Sequence, residues 1–281
     1  MIFELNMAEN TTQNEIQHET TLFAEPIFNI GNFTVTNSLL NSWVAVLILV
    51  IFFIALSKKV KKIPRGVQNV FEIILEQALN LADSITGDRK KSEKFLPISL
   101  SLFLFILINN WLGLLPGVGT IGFVEYAEHE KVFIPLFRGA TADLNTTLAL
   151  ALFAVVASHI MGTILVGSWK HFNKFVNLKA LAEIPGKFRK DYTIVLINPI
   201  KAFVGLVEIV GEIAKVASLS FRLFGNIFAG EVLLASMSAI LAFGLPIPFM
   251  FLEVVVGLIQ ALIFAMLILA YLTMNTAEEE H

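Results

Sequence analysis

Long apolar blocks, five of them in 281 residues, decide the solvent in which this chain can fold. Ser42 to Ser57 reads SWVAVLILVIFFIALS, and Phe95 to Leu115 and Thr147 to Val166 are of the same kind. A bilayer core roughly 30 Å thick takes about 20 apolar helical residues to cross, and the blocks are of that order. A buried core helix would explain one such block in a soluble protein, but not five. Composition agrees: 56% of residues are hydrophobic and 15% charged, against about 45–50% and about 25% in soluble domains. Cysteine is absent, which excludes a disulfide framework and a thiolate metal site. Met1 to Ser38 holds no Lys or Arg, so it lacks the basic start of a signal peptide and reads as a polar, acidic surface arm.

The basic residues predict the orientation. Nine surround the loop after the first block: Lys58, Lys59, Lys61, Lys62, Arg65, Arg89, Lys90, Lys91 and Lys94. The next loop has only two, Lys131 and Arg138, beside Glu125, Glu128 and Glu130. The third has six: Lys170, Lys174, Lys179, Lys187, Arg189 and Lys190. Cytoplasmic loops collect Lys and Arg, so the N-terminus is expected outside and the C-terminus in the cytoplasm of a bacterial cell. Residues 1–37 then form an extracytoplasmic arm, 38–276 the membrane domain and 277–281 a short tail.

Between the first two blocks, Val67, Val70, Phe71, Ile74, Leu75, Ala78, Leu81 and Ala82 recur at helical spacing. Glu72, Glu76, Gln77 and Asn80 occupy the other face, the pattern of an amphipathic helix lying at the membrane surface. From Lys201 to Leu245 there is no proline and the pattern stays helical. That stretch would be about 65 Å long, twice the hydrocarbon thickness. It must be strongly tilted, or broken near Gly205, Gly211, Gly225 or Gly230. Leu245 to Pro248 is expected to turn, and Phe249 to Met274 to return. The predicted fold is an all-α integral membrane protein of about five membrane helices. Its last two form a long, strongly tilted hairpin, and an interfacial amphipathic helix accompanies them.

Soluble-enzyme motifs are missing. Gly186-Lys187 is followed by Phe188 and lacks the upstream glycine of a phosphate loop. His18-Glu19 has Leu22 where a zinc helix places its second histidine. No nucleophile elbow or dinucleotide fingerprint occurs, so the chain alone is not expected to hydrolyse ATP, and no cofactor, metal or nucleic acid is implied. Paired catalytic aspartates are also lacking, and His159 is the one histidine inside a span. A secondary transporter would show inverted repeats, and none is found.

Ionisable groups at membrane depth carry the chemistry instead. Arg222 lies well inside an apolar helix, where insertion scales penalise an arginine by about 2.5–3.5 kcal/mol. Snorkelling to the interface serves residues near a helix end, and Arg222 is not near one. At 100° per residue, Ser218 and Asn226 share its face, Lys215 lies about 20° away and Glu208 about 40°. Gly225 and Ala229 stand nearby at a spacing that lets another helix approach closely. The final helix has its own stripe, Glu253, Gln260 and Tyr271, within about 20° of one line. Two long polar stripes, one centred on an obligate cation, favour an ion path.

Four segments carry a family resemblance. They are Ser218-Leu-Ser-Phe-Arg222-Leu-Phe-Gly-Asn226-Ile-Phe-Ala-Gly-Glu231; Gln260-Ala-Leu-Ile-Phe; Thr141-Ala-Asp143-Leu-Asn145-Thr-Thr; and Asn109-Asn110-Trp-Leu-Gly-Leu-Leu-Pro116. With them the chain resembles, from about Phe23 to Tyr271, the a subunits of rotary ATP synthases. The resemblance implies a stator set against a rotating ring of small hairpin subunits (subunit c), each with a mid-membrane carboxylate. Its other partners would be the peripheral-stalk subunit b and the rest of the synthase. Two offset half-channels would pass H⁺ or Na⁺ to and from the ring. By position Arg222 matches the arginine that faces the ring, and Asn226, Glu231 and Gln260 match channel-lining positions. Asp143 and Asn145 match a motif near the channel. Ser218, Glu253 and Tyr271 lie on the polar stripes and join the expected lining. The family site matching Glu253 varies between His and an acid. Here it and Glu231 are both Glu, at similar depth across the hairpin, and a shared proton between them is expected, the alternative being that each is solvated in a water-filled funnel.

Overall fold

A computed structural model describes residues 21–58, 60–61, 66–115, 117–127, 130–176, 193–241 and 244–277. Most of the arm, the basic residues Lys59, Lys62, Arg65, Lys179, Lys187, Arg189 and Lys190, the Gly186-Lys187 pair, Glu128 and residues 278–281 lie outside these. In chain order the elements are strands β1 (Pro26–Ile30) and β2 (Phe33–Thr36) and helices α1 (Asn37–Ser57), α2 (Val67–Thr86) and α3 (Arg89–Gly113). Strands β3 (Gly122–Ala127) and β4 (Glu130–Pro135), a 3₁₀ turn at Ala140–Ala142, and helices α4 (Leu144–Val166), α5 (Ser168–Val176), α6 (Thr193–Ile240) and α7 (Pro246–Thr276) follow. Among the described residues five helices are long and apolar enough to cross a membrane: α1, α3, α4, α6 from Phe203, and α7. The chain is an all-α integral membrane protein with two small surface hairpins.

Local chemistry sets the boundaries. Thr36 caps α1, its hydroxyl accepting from the Leu39 amide at 3.3 Å. Asp143 caps α4, accepting from the amides of Asn145 and Thr146, both at 3.3 Å, which starts that helix three residues before the expected Thr147. Gly87, at φ +68°, ends α2 in the left-handed region that glycine enters most readily. Pro246 opens α7 rather than belonging to the turn, as expected of a residue with no amide hydrogen to satisfy in a first helical turn. Gly205, Gly211, Gly225 and Gly230 all lie within the unbroken 48 residues of α6. Lipid offers no partner for a freed backbone group, so an interrupted ladder there would be costly. The amphipathic segment forms α2 as expected.

The residues fall into two units, each with its own interior. The first takes 1–71, 101–147 and 221–263. Here the usual sorting is inverted. Asn37, Asn41 and Ser42 on α1 are buried, while Leu47, Ile51 and Ile54 of the same helix are exposed. In water this would be unstable, whereas in lipid the exposed apolar side chains lose nothing. Gly31 and Asn32 form the two-residue link of β1–β2, and β3 pairs antiparallel with β4 from Gly122↔Pro135 to Ala127↔Glu130. Phe71 packs edge-on against Phe52 and Phe53 at 6.1 and 5.9 Å. The second unit takes 72–100, 148–220 and 264–281, and its interior includes Phe95, Ala154, Leu219, Phe264, Ile268 and Leu272.

Candidate functional site

In the first unit, Arg222 is exposed, and no hydrogen bond or ion pair joins it to a described residue. Gly225 beside it has nothing within 4 Å of where a Cβ would stand. Asn226 is exposed too, but its Nδ2 donates to Gln260 Oε1 at 2.7 Å. Gln260 is only 3% exposed, so it secures the amide next to the cation from the neighbouring helix. Arg222 thus stands on an open helix face.

Further along α6 is a cavity of about 560 Å³ lined in part by Asn110, Thr120, Arg138, Glu231, Ser238 and Glu253. Glu253 is buried, and its carboxylate lies against Gly230, where any Cβ would overlap it. Gly230 is therefore the cradle of Glu253. Gly230→Ala is expected to push the carboxylate aside and to lower stability by about 1–3 kcal/mol, the cost of overpacking. A thermal melt of the detergent-solubilised protein checks this, and an unchanged Tm would refute it.

Asn110 shapes the same wall, donating to Gly257 O at 3.0 Å and accepting from Thr141 Oγ1 at 2.5 Å. Asp143 is buried, and besides capping α4 it accepts from the Ala24 amide at 3.2 Å. Asn145 is exposed. Neither is among the cavity-lining residues, so the structure brings Glu231 and Glu253 together and leaves Asp143 and Asn145 apart from them.

Sequence reasoning counted Arg138 only as a loop charge. It is 5% exposed and grips Glu231 with Nε at 3.0 and 3.2 Å and Nη2 at 2.9 Å. Its remaining hydrogens go to Thr21 O at 2.7 Å, Thr21 Oγ1 at 3.1 Å and Phe23 O at 3.2 Å. This fork-on-carboxylate geometry is the one guanidinium groups favour. The hydrogen-bonding partner that the structure gives Glu231 is thus Arg138. The available signal was a lone arginine three residues before Thr141-Ala-Asp143.

The second unit holds a separate cluster. Glu212 Oε1 accepts from Lys215 Nζ at 2.7 Å, and Glu212 Oε2 lies 3.2 Å from His159 Nε2. The other nitrogen of that ring, His159 Nδ1, is 3.1 Å from His171 Nε2. Lys215 Nζ sits 5.3 Å from the centre of the Tyr271 ring, a cation–π contact. Tyr271 is thus engaged as a ring beneath a cation, while Ser218 is exposed. An open cavity of about 720 Å³ is lined by His159, His171, Glu212 and Trp169 among others. Glu212 and His171 went unread in the sequence, although an acid three residues before Lys215 in an apolar helix was a usable sign.

Comparison with known proteins gives the family. The family model for the ATP synthase A chain matches residues 39–273. The ATP synthase subunit a of Syntrophobacter fumaroxidans is 33% identical over 244 residues, covering 86% of this chain and 85% of that protein. The subunit a of Mycobacterium tuberculosis is 35% identical over 253 residues, covering 88% and 90%. That of Moorella thermoacetica is 29% identical over 248 residues, covering 88% and 93%. A match over residues 39–273, with relatives above 30% identity along most of both chains, settles the family: the chain belongs to the subunit a family of F-type ATP synthases, multi-pass components of the membrane sector.

Proposed function

We propose that the chain is the ion-conducting stator of a rotary ATP synthase, passing ions through two offset half-channels to and from the carboxylates of a subunit c ring. One observation carries this reading: Arg222 stands on an exposed membrane-helix face with no partner among the described residues. A permanent cation left unpaired in lipid costs too much to persist, so an anionic partner belongs opposite it. A ring carboxylate about 4 Å away would gain roughly 4 kcal/mol at an effective dielectric near 20. That is enough to drive an arriving protonated carboxylate to release its proton. The guanidinium itself stays protonated, so it blocks direct leakage between the half-channels.

The cavity beside Glu253 supports an access path from the outside. Val118, Thr120 and Phe137 line it, and they come from the weakly basic loop that the charge pattern assigns to the outer surface. Glu253 is the proton-carrying group there and Glu231 is held by Arg138. Subunit b and the rest of the synthase are the remaining partners, and the complex sits in a bacterial cytoplasmic membrane with its N-terminus outside.

Cysteine cross-linking tests the reading, because the native chain has no cysteine of its own. A cysteine at Gly225 or Ala229 is expected to cross-link to a cysteine on the outer helix of a ring subunit in whole-synthase membranes. Absence of cross-links at both positions, with the complex assembled, would count against the stator reading. For the orientation, Lys174→Cys is expected to resist an impermeant thiol reagent in intact cells and to react in inverted vesicles. Labelling from outside would overturn the topology.

A further inference from the structure

We propose that the main chain from Thr21 to Phe23, with the Thr21 hydroxyl, is a positioning element of the outer ion path. It aims the Arg138 guanidinium so that Glu231 stays an ionised wall of the cavity and Glu253 alone carries the proton. The inference rests on the stator reading and deepens it, naming the part of the chain that keeps two neighbouring acids in different roles. Every group involved belongs to the first unit.

Donor counting carries the argument. A guanidinium has five N–H groups and no acceptor. Nε–H goes to Glu231 at 3.0 and 3.2 Å, and one hydrogen of Nη2 goes there at 2.9 Å. The other hydrogen of Nη2 goes to Thr21 O at 2.7 Å. The two of Nη1 go to Thr21 Oγ1 at 3.1 Å and Phe23 O at 3.2 Å. All five are used, three of them on the arm, and none is left for Glu253. Arg138 is buried, so little water can replace a lost acceptor, and an orphaned buried donor is costly. The arm therefore sets the plane of the fork from behind, and the edge that remains is the one Glu231 receives.

The arm is itself pinned. Thr21 Oγ1, besides accepting from Arg138, donates to Phe23 O at 2.7 Å, so one hydroxyl ties two of the three acceptors together. The following residues fasten the segment to two helix starts. The Ala24 amide donates to Asp143 Oδ1 at 3.2 Å. The Glu25 amide donates to Asn37 Oδ1 at 3.2 Å, and the Asn37 amide donates to Glu25 O at 3.1 Å. Asn37 and Asp143 are both buried. The side chains of Leu22 and Phe23 are exposed, so the arm brings two backbone oxygens and one hydroxyl to the guanidinium.

Among the described residues lining the 560 Å³ cavity, the ionisable ones are Arg138, Glu231 and Glu253. Two carboxyl groups in one cavity compete for the same proton. A fork fixed on one of them favours its ionised form and leaves the other as the site of uptake. If the fork turns away, Glu231 enters the competition, and a proton arriving from outside has two acids to stop at instead of one.

Two measurements on whole synthase reconstituted in vesicles test this. Lipid-soluble carbodiimides modify protonated carboxyl groups, and mass spectrometry reads Glu231 and Glu253 separately. In the native complex Glu253 is expected to be modified and Glu231 spared. Thr21→Val keeps the branched shape and removes the hydroxyl. It is expected to raise modification of Glu231 relative to Glu253 by about fivefold, the order of one lost hydrogen bond. ATP-driven acidification per assembled complex, measured without the reagent, is expected to fall by a similar factor. Thr21→Ser retains the hydroxyl and is expected to match the native complex in both. Removal of residues 2–24 takes away all three acceptors and is expected to go further in both. A merely structural arm would lower the yield of complex without changing the ratio of the two acids. An unchanged ratio in Thr21→Val, or a changed ratio with native acidification, overturns the proposal, and the Thr21 variants decide it even where the shortened chain fails to assemble. Neither result bears on Arg222: native acidification by an Arg222→Ala control would instead remove the stator reading.

Discussion

Replacing Arg222 by alanine is expected to abolish both ATP-driven and gradient-driven ion transport while the synthase stays assembled. The side chain makes no contact that folding needs: it is exposed and unpaired among the described residues, so truncation costs the subunit little stability. The loss falls on coupling. On the stator reading, a ring carboxylate arriving without a fixed cation would keep its proton and carry it onward, and nothing would separate the proposed half-channels. Arg222→Lys is expected to fail largely as well, because an ammonium can lose its proton in a dry site and lacks the planar fork. Proton pumping and ring cross-linking measured on the same membranes check both points. Near wild-type pumping by Arg222→Ala would remove the central assignment.

Arg138→Ala is expected to do the opposite and damage the subunit itself. The guanidinium is buried, and its hydrogens reach Glu231, Thr21 and Phe23. Removing it strands the Glu231 carboxylate, a loss on the order of 3 kcal/mol, the lower end for a broken buried pair because Glu231 is 31% exposed. The yield of assembled complex should fall, and its melting temperature with it. The double variant Arg138→Ala with Glu231→Gln should recover part of that loss, since a neutral amide is cheaper to leave unpaired. Equal stability of Arg138→Ala and the native protein, or no recovery in the double variant, would show that the clamp contributes little.

Much of this architecture was legible because lipid narrows the choices. A backbone with no water to satisfy it must be helical, so α1, α3, α4, α6 and α7 could be read from apolar length alone. The shared face of Arg222 and Asn226 and the stripe that holds Gln260 followed from helical periodicity, but the hydrogen bond that joins Asn226 to Gln260 did not. The hairpins β1–β2 and β3–β4 escaped because each is only a few residues of surface segment, where turn residues such as Gly31 give a weak signal. Arg138 escaped for a different reason: a charge 93 residues from its partner shows nothing of that partner in the sequence. Lys215 was placed on the Arg222 stripe by angle. Its salt bridge goes instead to Glu212, because a short-range ion pair at three residues' separation outweighs alignment along a stripe.

The clamp on Arg138 also orders events in time. Thr21 and Phe23 leave the ribosome first, Arg138 more than a hundred residues later, and Glu231 only when the last pair of helices is being made. These three parts of the chain meet at one guanidinium. The knot therefore closes only after nearly the whole polypeptide has entered the membrane. Until then the acid-lined cavity lacks a wall, and on the half-channel reading proposed above a half-made subunit would hold no finished path along which ions could leak.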